Sequence, residues 1–263
     1  MTGKLLKEER QELIWELLQK EGKVTVAELG QRFAASEVTI RRDLAELAEQ
    51  GKLRRSHRGA LAAIPAPPEP PVVQRMDANT EEKERICAMA ATLLVEESSI
   101  FLGSGSTTTM LARQLAGRKS LTIVTNSIGI AQELAVLESQ ATVVVTGGML
   151  RHSELALEGY LTELMLKELH YSKVIMGARA LSLERGWTTD YLPEIHTTRK
   201  IAEITSELII LADHTKLGKI ATGMIVPIER ISTLITDEQA DEDFLEAVEK
   251  LGVTVIKVKR HIH

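Results

Sequence analysis

The run Gly103-Ser104-Gly105-Ser106-Thr107-Thr108 combines backbone freedom with a row of hydroxyl groups. It follows a strand-like segment and opens a helical one, so it offers unpaired N–H groups suited to a phosphate or a polyol. It is not a dinucleotide fingerprint, because the third glycine is missing, nor a P-loop, because no Gly-Lys-Ser/Thr follows. A tight structural turn is the alternative reading. Similar chemistry recurs in Thr125-Asn126-Ser127, in Gly147-Gly148 with Arg151, in Gly177-Ala178-Arg179, and in Asp213-His214-Thr215-Lys216-Leu217-Gly218. Each loop alone also reads as turn chemistry. Together their hydroxyls, amides and cations describe an anionic, hydroxylated ligand.

A second constellation lies near the N-terminus. In a helix that turns Ile40, Leu44 and Leu47 inward, Val38, Thr39 and Arg42 point outward and Arg41 lies on the flank. Two arginines at the start of a short helix can grip guanine edges or phosphates, and Thr39 offers a hydroxyl and a methyl to base edges. After Gly51, the run Lys52-Leu53-Arg54-Arg55-Ser56-His57-Arg58-Gly59-Ala60 reads as a hairpin with a basic tip for flanking phosphates. The candidate DNA contacts are Ser36, Val38, Thr39, Arg41, Arg42, Arg54, Arg55, His57 and Arg58. A merely solvated charged face is the alternative.

The elements that must position these residues fall into two groups. Leu13, Ile14, Leu17 and Leu18 form the stripe of a first helix. A second opens on the capping box Thr25-Val26-Ala27-Glu28, and a third has Ser36 as its N-cap. Five of the seven prolines (Pro65, Pro67, Pro68, Pro70 and Pro71) mark residues 63–75 as an extended, semi-rigid linker. Beyond it, strand-like segments at Ser99–Leu102, Leu121–Thr125, Thr142–Thr146, Lys173–Met176, Leu208–Ala212, Thr233–Thr236 and Val253–Val258 alternate with helices at Thr108–Leu115, Ile128–Leu137, Leu161–Leu169 and Phe244–Leu251. This pattern predicts a mostly parallel sheet covered on both faces, with ligands bound beyond the carboxyl ends of its strands.

Charge follows the same division. Residues 1–63 hold 12 Lys+Arg against 10 Asp+Glu, or +2, so the remainder of a chain of net charge −5 carries −7. A local basic patch on a mildly acidic protein suits a small DNA reader attached to something else. Aromatics are 3% of the chain, too few for an RNA stacking platform. No apolar run approaches a membrane span and no secretory signal opens the chain, so the expected compartment is the cytoplasm. The lone Cys87 reads as a small buried apolar residue rather than a catalytic thiol. The histidines show no metal spacing, and neither a metal nor a cofactor is expected.

The segment from Val24 to Ala60, with Thr39-Ile40-Arg41-Arg42-Asp43-Leu44, Gly51 and Arg55-Ser56-His57-Arg58-Gly59-Ala60, resembles the winged-helix signature of the DeoR family. The resemblance implies Arg41 and Arg42 as DNA contacts and Asp43 as a structural partner of the helix. Two departures stand out: Arg58 replaces a frequent glycine, and Glu37 sets a negative charge near the groove, as a helix-end stabiliser or an acceptor from cytosine. From Thr80 to Asp237 the chain resembles the DeoR sensor domain, similar in fold to ribose-phosphate isomerase and glucosamine-phosphate deaminase. The matching stretches are Gly103–Thr108, Thr122–Ser127, Gly147-Gly148, Gly186-Trp187-Thr188-Thr189, Glu194, Asp213–Gly218 and Leu234-Ile235-Thr236-Asp237. Here Gly103 stands for a common aspartate and Arg179-Ala180 for an Asp-Gly pair. Arg179 either shapes the effector's pose or pairs with an acid such as Glu184 or Glu194.

In fold, the resemblance implies an α/β protein. A winged helix-turn-helix (1–62) is joined by the proline-rich linker (63–75) to a parallel-sheet sensor and oligomerisation domain (76–263). The implied function is repression of a sugar or polyol operon, relieved by a phosphorylated sugar or polyol, by a homo-oligomer (dimer or tetramer) on double-stranded operator DNA. Candidate effector contacts are Gly103, Ser104, Gly105, Ser106, Thr107, Thr108, Asn126, Gly148, Arg151, Arg179, Glu194 and Lys216. The competing reading is a sugar-phosphate isomerase or deaminase. It needs a carboxylate base, yet Met176-Gly177-Ala178-Arg179-Ala180-Leu181 supplies none, leaving Asp213 and Glu194 as candidates.

Overall fold

The structure is a computed structural model and describes residues 6–49, 53–55, 58–61, 64–94, 99–205 and 207–260. The N-terminal module consists of α1 (Lys7–Glu21), β1 (Lys23–Thr25), α2 (Val26–Arg32), α3 (Glu37–Glu49), β2 (Arg54–Arg55) and β3 (Gly59–Leu61). The three strands form an antiparallel sheet in the order β1-β3-β2. The capping box at α2 closes as its residue types require: the Thr25 N–H donates to Glu28 Oε2 at 3.1 Å, and the Glu28 N–H to Thr25 Oγ1 at 3.2 Å. Ser36 Oγ accepts the Thr39 N–H at 3.2 Å, starting α3. The predicted stop at Gly51 lies outside the described residues.

Ile14, Leu18, Val24, Leu29, Ile40, Leu44 and Leu47 make the module's own core. The expected stripe on α1 needs a correction, because Leu13 is exposed and Leu17 only partly covered. The inward face runs instead through Arg10, Gln11, Ile14 and Leu18. A buried ion pair rotates it: Arg10 Nε donates to Asp43 Oδ2 at 2.6 Å and a second guanidinium nitrogen to Oδ1 at 3.1 Å. Asp43 thus ties α3 to α1.

The linker is more structured than an extended spacer. It contains β4 (Ile64–Pro65) and a single helical turn, α4 (Val72–Arg75). The sensor follows as α5 (Thr80–Thr92), β5 (Ser99–Leu102), α6 (Ser106–Leu115), β6 (Thr122–Thr125), α7 (Ile128–Val136), β7 (Thr142–Val145), β8 (Met149–Arg151), β9 (Ala156–Glu158), α8 (Tyr160–Glu168) and β10 (Lys173–Gly177). It continues through β11 (Ala180–Ser182), β12 (Gly186–Thr189), α9 (Glu194–Glu203), β13 (Leu208–Leu211), β14 (Lys219–Ile220), β15 (Gly223–Val226), β16 (Thr233–Asp237), α10 (Glu242–Lys250) and β17 (Thr254–Val258).

All seven predicted strands form one parallel sheet, in the order β17-β16-β13-β10-β5-β6-β7. One core lies on each face. Phe101, Tyr171, Ile210 and Phe244 belong to one, and Ile86, Leu111, Ile123 and Ile235 to the other. The five inner strands are buried on both sides and read as continuous apolar runs rather than as alternations, while the outermost strands β7 and β17 are partly exposed. A three-stranded sheet β11-β12-β15 and a hairpin β8-β9 stand beside the main sheet, and β4 pairs in parallel with β14. The linker is therefore joined to the sensor by backbone hydrogen bonds. Lys23 of β1 also reaches Asp241 at 2.7 Å and Asp243 at 3.0 Å, which docks the winged module on the start of α10.

Candidate functional site

The loops after β5, β6, β10 and β13 converge at the carboxyl ends of their strands around a cavity of about 240 Å3. Ser104, Gly105, Ser106, Thr107, Asn126, Arg151, Arg179, Glu194 and Lys216 line it. The first turn of α6 presents the backbone donors that any helix start leaves without an intrahelical partner. Asn126 braces the loop: its Oδ1 accepts the Ser104 N–H at 3.2 Å while its Nδ2 donates to the Leu157 carbonyl at 3.2 Å.

Three expected ligand residues do not line the cavity. At Gly103 a Cβ would fall 1.9 Å from Met176 Sδ, so glycine serves the packing of neighbouring strands. Thr108 is fully buried and its hydroxyl donates to the Gly105 carbonyl at 3.0 Å, which fixes the loop from behind. Gly148 has φ +143°, and a Cβ there would meet Glu158 backbone at 2.7 Å. It allows the β8-β9 hairpin to close on itself.

Other groups on the wall escape a reading by pattern. Glu69 and Arg75 come from the linker, Lys83 from α5, and Glu154 and Glu158 from the β8-β9 hairpin. Lys83 does leave a signal, for it stands in the buried stripe Lys83, Ile86, Cys87 and Ala90, where an unpaired lysine is costly. Its Nζ donates to the Arg75 carbonyl. Burial pushes its pKa down, and the positive charges of Arg75 and Lys216 add to this against the pull of Asp213.

Arg151 is the hub of the opposite wall. It pairs with Glu194, lies 3.7 Å from Glu158, and its guanidinium carbon sits 4.1 Å from the centre of the Tyr191 ring. Glu194 also accepts from Thr189 Oγ1. Burial raises the carboxyls of Glu154, Glu158 and Glu194 above the usual range. At Glu158 the charge of Glu194 acts in the same direction, and the carboxyl is pushed up to about 7. Arg179 pairs with neither Glu184 nor Glu194 but with Asp190 at 2.8 Å and Glu69 at 3.5 Å. Cys87 is buried, its thiol pushed up to about 12 by burial, and it donates to the Thr107 carbonyl at 3.1 Å. It supports the loop as a packing residue.

On the winged module, Val38 is 77% exposed, and the side chains of Arg41 and Arg42 are 47% and 80% exposed. Ser36 and Arg58 are exposed and Thr39 is half-buried. Glu37 lies 3.7 Å from Arg41, one turn along the helix. Arg54 and Arg55 sit on β2, in the position expected of the hairpin, while His57 lies outside the described residues.

A family model described as the DeoR C terminal sensor domain matches residues 78–238, and one described as a DeoR-like helix-turn-helix domain matches residues 10–64. The chain belongs to the DeoR family. An HTH-type transcriptional regulator, GolR of Listeria innocua, is 34% identical over 94% of this chain and 97% of its own length. A putative aga operon transcriptional repressor of Escherichia coli O157:H7 is 33% identical over 95% and 93%. The lactose phosphotransferase system repressor of Streptococcus mutans is 32% identical over 93% and 97%. Among solved structures, ribose 5-phosphate isomerase A of Methanocaldococcus jannaschii aligns over 53% of this chain and 55% of that one, with a TM-score of 0.40 and 17% identity. That likeness concerns fold alone. This DeoR-family chain is a transcriptional regulator, not an enzyme. Its helix-turn-helix makes DNA a partner and its sensor domain makes a small molecule the effector. Among the described residues, no helix is long and apolar enough to cross a membrane.

Proposed function

We propose that the protein is a cytoplasmic repressor of a sugar or polyol catabolic operon, released from its operator by a phosphorylated sugar or polyol. The reader is residues 1–62, the linker 63–75 and the sensor 76–263. The observation that carries the reading is the cavity wall, where the Gly105-Ser106-Thr107 helix start faces Arg75, Lys83, Arg151, Arg179 and Lys216. Donors to a phosphate and partners for hydroxyls are thereby combined in one chamber. Arg41 and Arg42 grip DNA from the outer face of α3, with Ser36, Val38 and Thr39 beside them and Arg54, Arg55, His57 and Arg58 on the wing.

The working form is a homo-oligomer that presents paired winged helices. The exposed apolar side chains of Val145, Met149, Leu150, Tyr160, Leu161 and Leu164, on and after β7, which ends the strand order of the main sheet among the described residues, support self-association. Half-sites about 34 Å apart suit such a two-fold reader. Effector binding at a typical coupling changes DNA affinity by about 5- to 150-fold. The deciding experiment is binding of the purified protein to its own promoter DNA with and without a panel of sugar phosphates. Specific binding weakened by one compound is the expected result. Specific binding that none of them alters removes the sugar-phosphate effector.

A further inference from the structure

Among the described residues, five cations (Arg75, Lys83, Arg151, Arg179 and Lys216) and five carboxylates line the cavity. Four of the carboxylates, Glu154, Glu158, Glu194 and Asp213, stand on the sensor itself. Glu69 comes from the linker. Its carboxylate accepts from Lys216 Nζ at 3.0 Å, lies 3.2 Å from a guanidinium nitrogen of Arg75, and is 3.5 Å from Arg179 Nε. Two guanidinium groups and an ammonium gathered on one carboxylate are the surroundings that a phosphate group takes.

The same cations fasten the linker backbone. Arg75 Nε donates to the Pro70 carbonyl at 2.9 Å, and Arg179 donates to the Pro67 carbonyl. Farther out, the Ala66 N–H donates to the Ile220 carbonyl at 2.7 Å and the Val72 N–H to the Ser153 carbonyl at 2.8 Å. Between those two anchors the chain reads Pro67-Pro68-Glu69-Pro70-Pro71, and the prolines have no N–H to donate. The segment therefore holds to the sensor through the Pro67 carbonyl and the Glu69 carboxylate, while Arg75, itself on the linker, braces the Pro70 carbonyl.

We propose that the Arg75–Arg179–Lys216 cluster is the subsite for the effector's phosphate, and that Glu69 is the chain's own placeholder in it. Binding is then an exchange of one anion for another. With Glu69 in place, a phosphate would bring like charge within ion-pair distance where water is largely excluded, so the carboxylate has to leave. Its departure frees the cations from the Pro67 and Pro70 carbonyls and loosens β4, which leads directly to the wing. This mechanism rests on the proposed reading of the cavity as a phosphorylated-ligand site.

Inorganic phosphate is the probe, measured by calorimetry at constant ionic strength on the full chain, on Glu69→Gln and on Lys216→Ala. Hydrogen exchange at the Ala66 and Val72 amides of the wild type is followed in parallel and depends on no variant. Glu69→Gln is expected to bind phosphate about ten-fold more tightly, because it no longer has to expel its own anion. Phosphate is also expected to speed exchange at both wild-type amides by about ten-fold. Equal affinity in wild type and Glu69→Gln, with binding lost in Lys216→Ala, overturns the exchange and leaves the phosphate site standing. Unchanged amide exchange in saturating phosphate overturns it as well. Binding of phosphate by none of the three proteins overturns the exchange together with the reading on which it rests.

Discussion

The cations of the winged module and those of the cavity are held in opposite ways. Arg41 and Arg42 face water, and each has one carboxylate on its own helix, Glu37 at 3.7 Å and Glu46 at 3.5 Å. Exposed pairs of this kind are weak and screened by salt, so on the proposed reading DNA phosphates would replace them readily. Arg75, Arg151 and Arg179 are mostly covered, and each touches at least two carboxylates. On the proposed reading, a ligand reaches them by competing with anions already there. Attachment to DNA should therefore follow ionic strength steeply, whereas the sensor should discriminate by shape and by proton content.

The most damaging change should fall at the joint beneath the recognition helix. Asp43→Ala removes the buried carboxylate that Arg10 pairs with and is expected to cost about 3–5 kcal/mol, seen as early loss of the module's structure in thermal unfolding. An unchanged melting profile would show that the pair is dispensable. Next comes the exposed face. Arg42→Ala should weaken operator binding by about 1–3 kcal/mol and flatten its salt dependence without lowering the melting temperature. Operator affinity equal to wild type would remove Arg42 from the interface.

The cavity offers a smaller effect with a definite pH signature. In the fold, the Glu158 carboxyl keeps its proton up to about 7, while an ordinary glutamate loses it near 4.5. Its contribution to stability is full below 4.5 and is lost as pH rises through 7. Wild type should therefore lose roughly 1–2 kcal/mol relative to Glu158→Gln between about pH 5 and 8 in urea unfolding. Parallel pH profiles of the two proteins would contradict this. The weakest link should be the docking contact, because Lys23 is more than a third exposed and its pairing is partly screened. Lys23→Ala is expected to alter unfolding by less than about 1 kcal/mol.

Legibility from sequence divides along the same boundary. Ser36, Thr25 and Glu28 act on neighbours three residues away, so caps and helices of the module follow from local spacing. The seven strands of the main sheet are equally legible, since burial on both faces of the inner five writes itself as apolar runs and the partly exposed β7 and β17 keep Val and Ile. Glu69 and Lys216, by contrast, meet across most of the chain, and no local spacing announces a pair of that kind. The apolar stripe misplaces Leu13 for a related reason, because Asp43 draws Arg10 inward and turns α1 with it. The strands β11, β12 and β15 also escape the pattern, as they pair antiparallel beside a parallel sheet.

The pairing of β4 with β14 also imposes an order in time. Ile64 and Pro65 leave the ribosome early, but their partners Lys219 and Ile220 are translated more than half the chain's length later. At ordinary elongation rates the delay is on the order of 10 s. The winged module has a separate core, so it can be complete during that interval while its tether to the sensor cannot. A nascent chain would thus expose its recognition helix before any effector could govern it, and regulation would begin only when synthesis is nearly finished.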